Sequence, residues 1–261
     1  MQYPLAKRSR TPCVTTLHGR LDLPDLRALH DHFRAHPLVS ISDSQRRPLS
    51  NANWCATIYH GLPVNLYRFN PQPQDYFAFV GRISPEKRVD RAIEIAIACG
   101  TPLLIAAKVD AVDEAYFERD IRPLLNHPLV QFVGEIGDEQ KDKLIGGARA
   151  LLFPVDWPEP FGLVLIESFA CGTPVVAYRC GSVPELMQDG VTGYVVDNQQ
   201  DAIAAARAIG RVDRRRCREV FERRFTAEKM ASRYLQVYQA LIDTLGLPRH
   251  DATSPTTPIA K

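Results

Sequence analysis

The sequence has no Cys-x-x-Cys pair and no Cys/His cluster at zinc spacing, although cysteines stand at 13, 55, 99, 171, 180 and 217. That excludes a zinc ribbon and a dithiol redox motif, and a reduced, cytoplasmic setting is the simplest reading. No uninterrupted apolar run reaches membrane-spanning length, and the basic start MQYPLAKRSRTP has no hydrophobic core, so neither a spanning helix nor a signal peptide is expected. An excess of one charge is missing too. With 32 basic and 30 acidic residues interspersed, the net charge is only +2, which gives no global argument for nucleic acid. There is no Asp-x-Asp pair of the sort that holds a divalent ion on a nucleotide. What remains is an ordinary globular composition. The 261 residues, 45% apolar and 24% charged, suffice for one large domain or two modest ones.

Short apolar, β-branched runs alternate with longer amphipathic ones. Strands are expected at 13–17, 38–42, 56–59, 76–80, 102–107, 129–133, 150–155, 174–178 and 193–196, with helix-period stretches at 87–99, 138–148, 162–171 and 200–209. Apolar strands separated by helices indicate an α/β fold with a parallel sheet covered on both faces. From 76 to 196 the alternation is regular enough for a complete Rossmann-like unit. CGTP occurs at 99–102 and 171–174, where Gly suits the left-handed position after a helix and Pro prevents continuation. Residues 1–68 read as a partial domain, with about three strands in the first 65 residues and too little chain for a doubly wound fold of ~100 residues. The Pro-rich NPQPQD at 70–75 reads as a hinge, 69–225 as the complete domain, 226–247 as a helix packing back on the N-terminal part, and 248–261 as a disordered tail.

The segment EPFGLVLIES, 159–168, places carboxylates at Glu159 and Glu167 with an oily stretch between them. In a parallel sheet the ligand crevice lies beyond the carboxyl ends of the strands, where the strand of 150–155 delivers this segment. Gly162 lets a ligand approach the backbone. The N–H groups of Phe161, Gly162 and Leu163 are expected to form an anion seat at a helix start. Glu167 lies roughly 6–9 Å further along the axis, about the span from a phosphate to a ribose. A carboxylate accepts two hydrogen bonds at once, which fits a vicinal diol. The order is then sugar at Glu159, diphosphate at the helix start, ribose at Glu167. Cations to balance such a ligand are Arg82 and Lys87 in GRISPEKR, 81–88, a bidentate fork and a point charge at a neighbouring strand end.

These two motifs, in this order, resemble the retaining glycosyltransferases of family 4, which have the GT-B fold. Glu159 and Glu167 match the E-x7-E pair, and Gly81, Arg82 and Lys87 match G-R-x4-K. TLHGRLD at 16–22, VGEIGDEQK at 133–141 and GSVPELMQDGVTGYVV at 181–196 are also similar, so the resemblance covers nearly all of 11–244. It implies two Rossmann-like domains around a cleft, a nucleoside-diphosphate sugar (a UDP-sugar) as donor substrate rather than cofactor, and no metal. Residue by residue it implies diphosphate at Arg82, Lys87 and the backbone of Phe161, Gly162 and Leu163, ribose at Glu167, the reacting carbon by catalytic Glu159, and base against Gly134, Glu135 and Ile136. The acceptor, a sugar, lipid or small molecule, would sit on the N-terminal side. The family's glycine-rich start and His-bearing loop have no counterpart, which implies a domain short of roughly 100 residues. Either Met1 is an internal methionine or the chain is a half-enzyme.

Several residues carry two readings. His18 in TLHG either faces the cleft on the acceptor side or is structural. Asp156 and Trp157 either flank the sugar or pack the loop, and Lys108 either touches ligand or makes a surface salt bridge. His60-Gly61 reads as a turn, and SVPE at 182–185 reads as a capping box. The Arg-rich stretch RVDRRRCREVFERR reads as a solvated helix face, with a weak contact at the inner membrane face as the second reading. Transfer is the leading function. A nucleotide-sugar-binding fragment without turnover, and a sugar-nucleotide epimerase of the same shape, are the alternatives, and a phosphorylase lacks a recognisable cofactor lysine.

Overall fold

The period-2 and period-3.6 alternation becomes two parallel sheets. In the computed structural model, which describes residues 3–6, 9 and 11–244, the first sheet holds β1 (Thr15–Thr16), β2 (Leu38–Ser40) and β3 (Trp54–Thr57) in that order. Helices α1 (Tyr3–Ala6), α2 (Pro24–His32) and α3 (Asp43–Arg46) accompany it. The second sheet contains β4 (Phe77–Ile83), β5 (Leu103–Val109), β6 (Val130–Gly134), β7 (Ala150–Phe153), β8 (Val175–Tyr178) and β9 (Gly193–Val196) in the order β6-β5-β4-β7-β8-β9. Its helices are α4 (Val89–Cys99), α5 (Glu114–Tyr116), α6 (Asp138–Gly147), α7 (Leu163–Cys171), α8 (Val183–Leu186), α9 (Gln199–Ala208) and α10 (Arg214–Arg224), and α11 (Ala227–Thr244) follows. All pairings in both sheets are parallel. Every expected strand is present, and both CGTP glycines are left-handed, with φ of 64° at Gly100 and 79° at Gly172. The tail 248–261, and the last residues of the expected 226–247 helix, lie outside the described residues.

The second sheet reverses its strand order between β4 and β7. These two strands pair over only Phe77↔Ala150 and Ala78↔Leu151. β4 then continues alongside β5 as far as Ile83↔Val109, three residues beyond the expected strand, so β4 and β7 part and open a crevice at their carboxyl ends. The loops after both strands carry the two motifs.

Three expectations are corrected by packing. Three arginines of the Arg-rich stretch do not form a solvated face. Arg214, 8% exposed, donates to Asn70 O (2.7 Å), Ala148 O (2.9 Å), Gly146 O (2.7 Å) and Thr173 Oγ1 (2.8 Å). Arg218 donates to the carbonyls of Val64, Tyr67 and Ala170, and Arg224 to those of Glu185 and Leu186. These carbonyls lie at helix ends and linker bends where the ladder supplies no partner, so the guanidinium forks serve as donors. SVPE is no capping box. Ser182 Oγ donates to Phe161 O, and Glu185 reaches across to the other sheet's α3, accepting from the N–H groups of Asp43 (2.8 Å) and Ser44 (2.6 Å). His60-Gly61 is not a turn but an extended run bridging through Leu62 to Thr226, and a Cβ at Gly61 would collide with the Thr226 carbonyl. In the Pro-rich 70–75 segment, Asn70 N donates to Cys171 O and Gln74 N to Gly147 O. Periodicity also gave no sign of the short helical turns of Ala111–Asp113, Phe117–Ile121 and Arg122–Asn126, where only Ile121 is buried.

The two parts meet through an aromatic stack. His18 lies parallel to His60 (5.3 Å, 12°), and His60 meets Phe161 edge-on at 4.8 Å. Tyr234 of α11 shares a hydrogen bond with Thr16 of β1 at 2.8 Å. Among the described residues no helix is long and apolar enough to cross a membrane.

Two predictions follow from this packing. Arg214→Met removes the donor from four acceptors, of which Gly146 O alone keeps another, the Asn70 side-chain amide at 3.0 Å, and should cost about 3 kcal/mol, read as a lowered urea midpoint at unchanged m. A loss under about 1 kcal/mol would mean that water replaces the guanidinium. His60 is pushed down to about 4, by burial first and by His18 second. The folded state then binds fewer protons than the unfolded chain at mildly acid pH. The stability His60 contributes is full above about 6.5 and is lost as pH falls towards 4. Burial pulls His30 and His36 the same way. His60→Gln should therefore flatten, without abolishing, the fall in melting temperature between pH 7.5 and 4.5. A profile parallel to that of the wild type would remove His60 from the account.

Candidate functional site

The crevice between β4 and β7 is walled by charge. Arg82 stands next to last in β4, opposite Lys108 of β5. It donates to Asp110 at 3.2 Å and lies 3.8 Å from Glu86, with its side chain 48% exposed. Lys108 pairs with the same Asp110 at 3.2 Å, so its salt-bridge reading holds, within a cluster at the crevice. Lys108 first, and Arg82 after it, hold the Asp110 carboxyl below its usual range. Lys87 closes a single 3-10 turn, Pro85–Lys87, and the helix begins only at Val89. Between them Arg88 is left-handed (φ 53°), the one non-glycine residue with positive φ among the described residues. This strain, of order 1–3 kcal/mol, is held by ion pairs from Arg88 to Asp90 (2.7 Å) and Asp156 (2.9 Å).

The loop after β7 is tied to that turn. Asp156 N donates to Glu86 O at 2.8 Å, and its carboxylate accepts from Arg91 as well as Arg88. Trp157 Nε1 donates to Glu159 Oε2 at 2.9 Å, and Lys87 Nζ pairs with the same carboxylate oxygen. Lys87 also lies 5.4 Å from the Trp157 ring, and Arg20 of the first sheet's loop lies 5.8 Å from it. Glu159 and Lys87, both largely buried, thus form one ion pair braced by an indole.

Gly162 is left-handed (φ 78°, ψ 69°), and α7 starts at Leu163, one residue later than expected. The first-turn N–H groups are those of Leu163 and Val164, for neither of which an acceptor stands among the described residues, while Leu165 N already donates to Gly162 O. Phe161 is nearly fully buried, with its ring turned into the His60 stack, so its side chain belongs to the packing and only its backbone borders the seat. Glu167 sits four residues into α7, roughly 6 Å along the axis. It is 8% exposed, and its Oε1 accepts from Lys141 Nζ at 2.8 Å. Gly134 (φ 74°) ends β6, and Glu135 and Ile136 lead from it into α6, which carries Lys141. Lys141 lies 5.7 Å from the Tyr67 ring and 3.5 Å from Asp138.

The structure therefore brings Lys87 to Glu159, pairs Glu167 with Lys141 of α6, the helix that follows the 134–136 loop, and leaves Arg82 with Asp110 and Glu86. His18 reaches the site only through His60 and Phe161. Residue patterns missed Lys141, Asp110, Arg20 and Tyr67. Lys141 and Arg20 lay inside quoted similar segments, whereas Tyr67 and Asp110 give no sequence signal without the fold. Among the described residues no group of three or more His, Cys, Asp or Glu side chains is arranged to hold a metal ion.

Comparison with known proteins bears directly on this geometry. Residues 68–219 match the family model described as glycosyl transferases group 1. Over 130 residues the chain is 35% identical to a D-inositol 3-phosphate glycosyltransferase of Mycolicibacterium smegmatis, covering 49% of this chain and 30% of that protein. Over 88 residues it is 38% identical to an N-acetyl-alpha-D-glucosaminyl L-malate synthase of Bacillus anthracis, covering 31% of this chain and 23% of that protein. The matched part is thus about a third or less of these relatives' length. Among solved structures, AviGT4, a glycosyltransferase of avilamycin A biosynthesis, superposes with a TM-score of 0.68 at 27% identity, covering 79% of this chain and 64% of that one. Anabaena HepE in complex with UDP and glucose superposes with a TM-score of 0.75 at 20% identity, covering 94% and 74% of the two chains. The fold is that of the GT-B glycosyltransferases, and the family model spans more than half of the chain. It belongs to the glycosyl transferases group 1 family.

Proposed function

We propose that the crevice binds a nucleoside-diphosphate sugar, with UDP as the nucleotide, and transfers the sugar with retention of anomeric configuration. The observation that carries the reading is the pairing of charges around an open helix start: Lys87 with Glu159 on one side, Lys141 with Glu167 on the other. The diphosphate sits at the N–H groups of Leu163 and Val164, with the positive end of the helix dipole behind it. Arg82 turns from Asp110 and Glu86 to the phosphates, and Lys87 exchanges Glu159 for the distal phosphate. That exchange frees Glu159 for the sugar. The ribose hydroxyls meet Glu167, and the base lies along Gly134, Glu135 and Ile136. UDP and UDP-glucose are the ligands named with the HepE structures, which supports the choice of nucleotide.

As the glycosidic bond breaks, charge builds on the distal phosphate. Arg82 and Lys87, drawn onto the phosphates when the donor binds, and the helix start are then already in place to stabilise it as the bond breaks. The sugar carbon becomes oxocarbenium-like, and Glu159 faces it with a negative charge. The acceptor enters from the side of the first sheet, where His18 and Arg20 stand.

Two outcomes are expected. Arg82→Ala should weaken UDP binding by ~1.5–3 kcal/mol in calorimetry and leave uridine binding nearly unchanged. Equal weakening of both ligands would remove Arg82 from the diphosphate. UDP affinity should be the same in chelator and in magnesium or manganese, because fixed cations take the place of an ion. Binding abolished by chelator and restored by either metal would overturn that part. Labelled UDP-sugar with candidate acceptors then reads transfer and, from the product anomer, retention.

A further inference from the structure

The E-x7-E carboxylate at the inner end of the seat has a partner that no motif marks. Glu167 is buried on α7, and its Oε1 accepts from Lys141 Nζ at 2.8 Å. Lys141 comes from the first turn of α6, directly after the 134–137 loop. Its ammonium is also 3.5 Å from Asp138 and 5.7 Å from the Tyr67 ring centroid. Tyr67, 2% exposed, belongs to the linker entering the second sheet. One cation thus ties α7, the 134–138 segment and the linker together at the place where a ribose would lie.

We propose that Lys141 is a positioning residue that fixes the Glu167 carboxylate for a vicinal diol and so sets discrimination between ribonucleotides and 2′-deoxyribonucleotides. This rests on the nucleotide reading above. The reasoning is that of charge in a desolvated place. A buried carboxylate without a counter-ion is costly, and one free to turn presents no fixed pair of acceptors to a diol. With the Lys141 ammonium on Oε1 at 2.8 Å, the rotamer is held and the remaining acceptor positions keep one direction. A site built to hydrogen-bond a hydroxyl rejects the analogue lacking it, because its acceptor is left unpaired. For Lys141 itself, burial works against the charge, but the bonds to Glu167 and Tyr67 outweigh burial, so the ammonium persists.

The test compares UDP with 2′-deoxy-UDP on the full chain by calorimetry. Wild type should prefer UDP by roughly tenfold or more. Lys141→Met should bring the two within about threefold, chiefly by weakening UDP. Lys141→Arg, which keeps the charge, should restore most of the preference. Lys141→Gln gives the same reading if the methionine variant does not fold. A variant that loses affinity for both nucleotides equally, with the wild-type ratio intact, makes Lys141 a packing residue and overturns the inference. Wild type that binds both nucleotides equally overturns the ribose role of Glu167, and with it that of Lys141, while nucleotide binding stands. Wild type that binds neither sinks the nucleotide reading itself.

Discussion

A buried guanidinium with no carboxylate beside it holds the second half of this molecule in register. Arg214 serves four neutral acceptors, and two of its carbonyls, Gly146 and Ala148, close the end of α6. Arg218, one turn on, takes Ala170 O at the end of α7 together with two carbonyls of the linker. Helix carbonyl ends have no intrahelical donor, and cations there are favoured by the dipole. These same two helices carry Lys141, in the first turn of α6, and Glu167, at the middle of α7. Helices are stiff over nine or ten residues, so anchoring the back of each fixes what it presents at the front. The polar face of the site thus depends on an apolar interior that could not close without those arginines.

At the front, the constraint is charge in a place poor in water. Two glutamates eight residues apart border one open helix start, and each has its own lysine. The pairs offset the cost of burying four ionised groups. Under the proposed nucleotide reading, a diphosphate would exchange partners with these pairs instead of creating charge contacts from nothing, Lys87 passing from Glu159 to the phosphate beside the Trp157 ring. The left-handed Arg88 has the same logic. Its unfavourable backbone is stabilised by Asp90 and Asp156, and Asp156 belongs to the loop that carries Glu159. Backbone strain in one motif is therefore secured by the other.

Much of this was legible from residues alone, for definite reasons. Continuous apolar strands and the two CGTP stops fix a parallel sheet, and strand ends in such a sheet locate Arg82, Lys87, Glu159 and Glu167. What escaped was of another kind. Lys141 looks like any solvated helix residue in GDEQKDK until α6 and α7 are placed side by side. The arginines of α10 look solvated because sequence shows their charge and not the carbonyls awaiting them. SVPE has the spacing of a local cap, but Glu185 finds two N–H groups across the interface, and a carboxylate that satisfies two backbone donors elsewhere is not spent on its own helix. His60-Gly61 carries a turn dipeptide, yet here Gly is needed for the approach of Thr226, at an unexceptional backbone angle. Local pattern fails in each case where a long-range partner outcompetes the near one.

The connection between the two sheets runs through one residue with two faces. The ring of Phe161 lies in the stack with His60 and His18, and its carbonyl accepts from Ser182. The next residue, Gly162, is the left-handed start of α7. Any shift of the first sheet against the second must move His60 over Phe161, and the ring cannot move without its backbone. The backbone in turn orients Gly162 and the first free N–H groups of α7. Glu185 resists such a shift from the other side by holding the start of α3. The seat for an anion is thus not the property of one sheet. The second sheet supplies α7, and the first sheet bears on its start through the Phe161 ring, so the positions of the two sheets are coupled at Gly162.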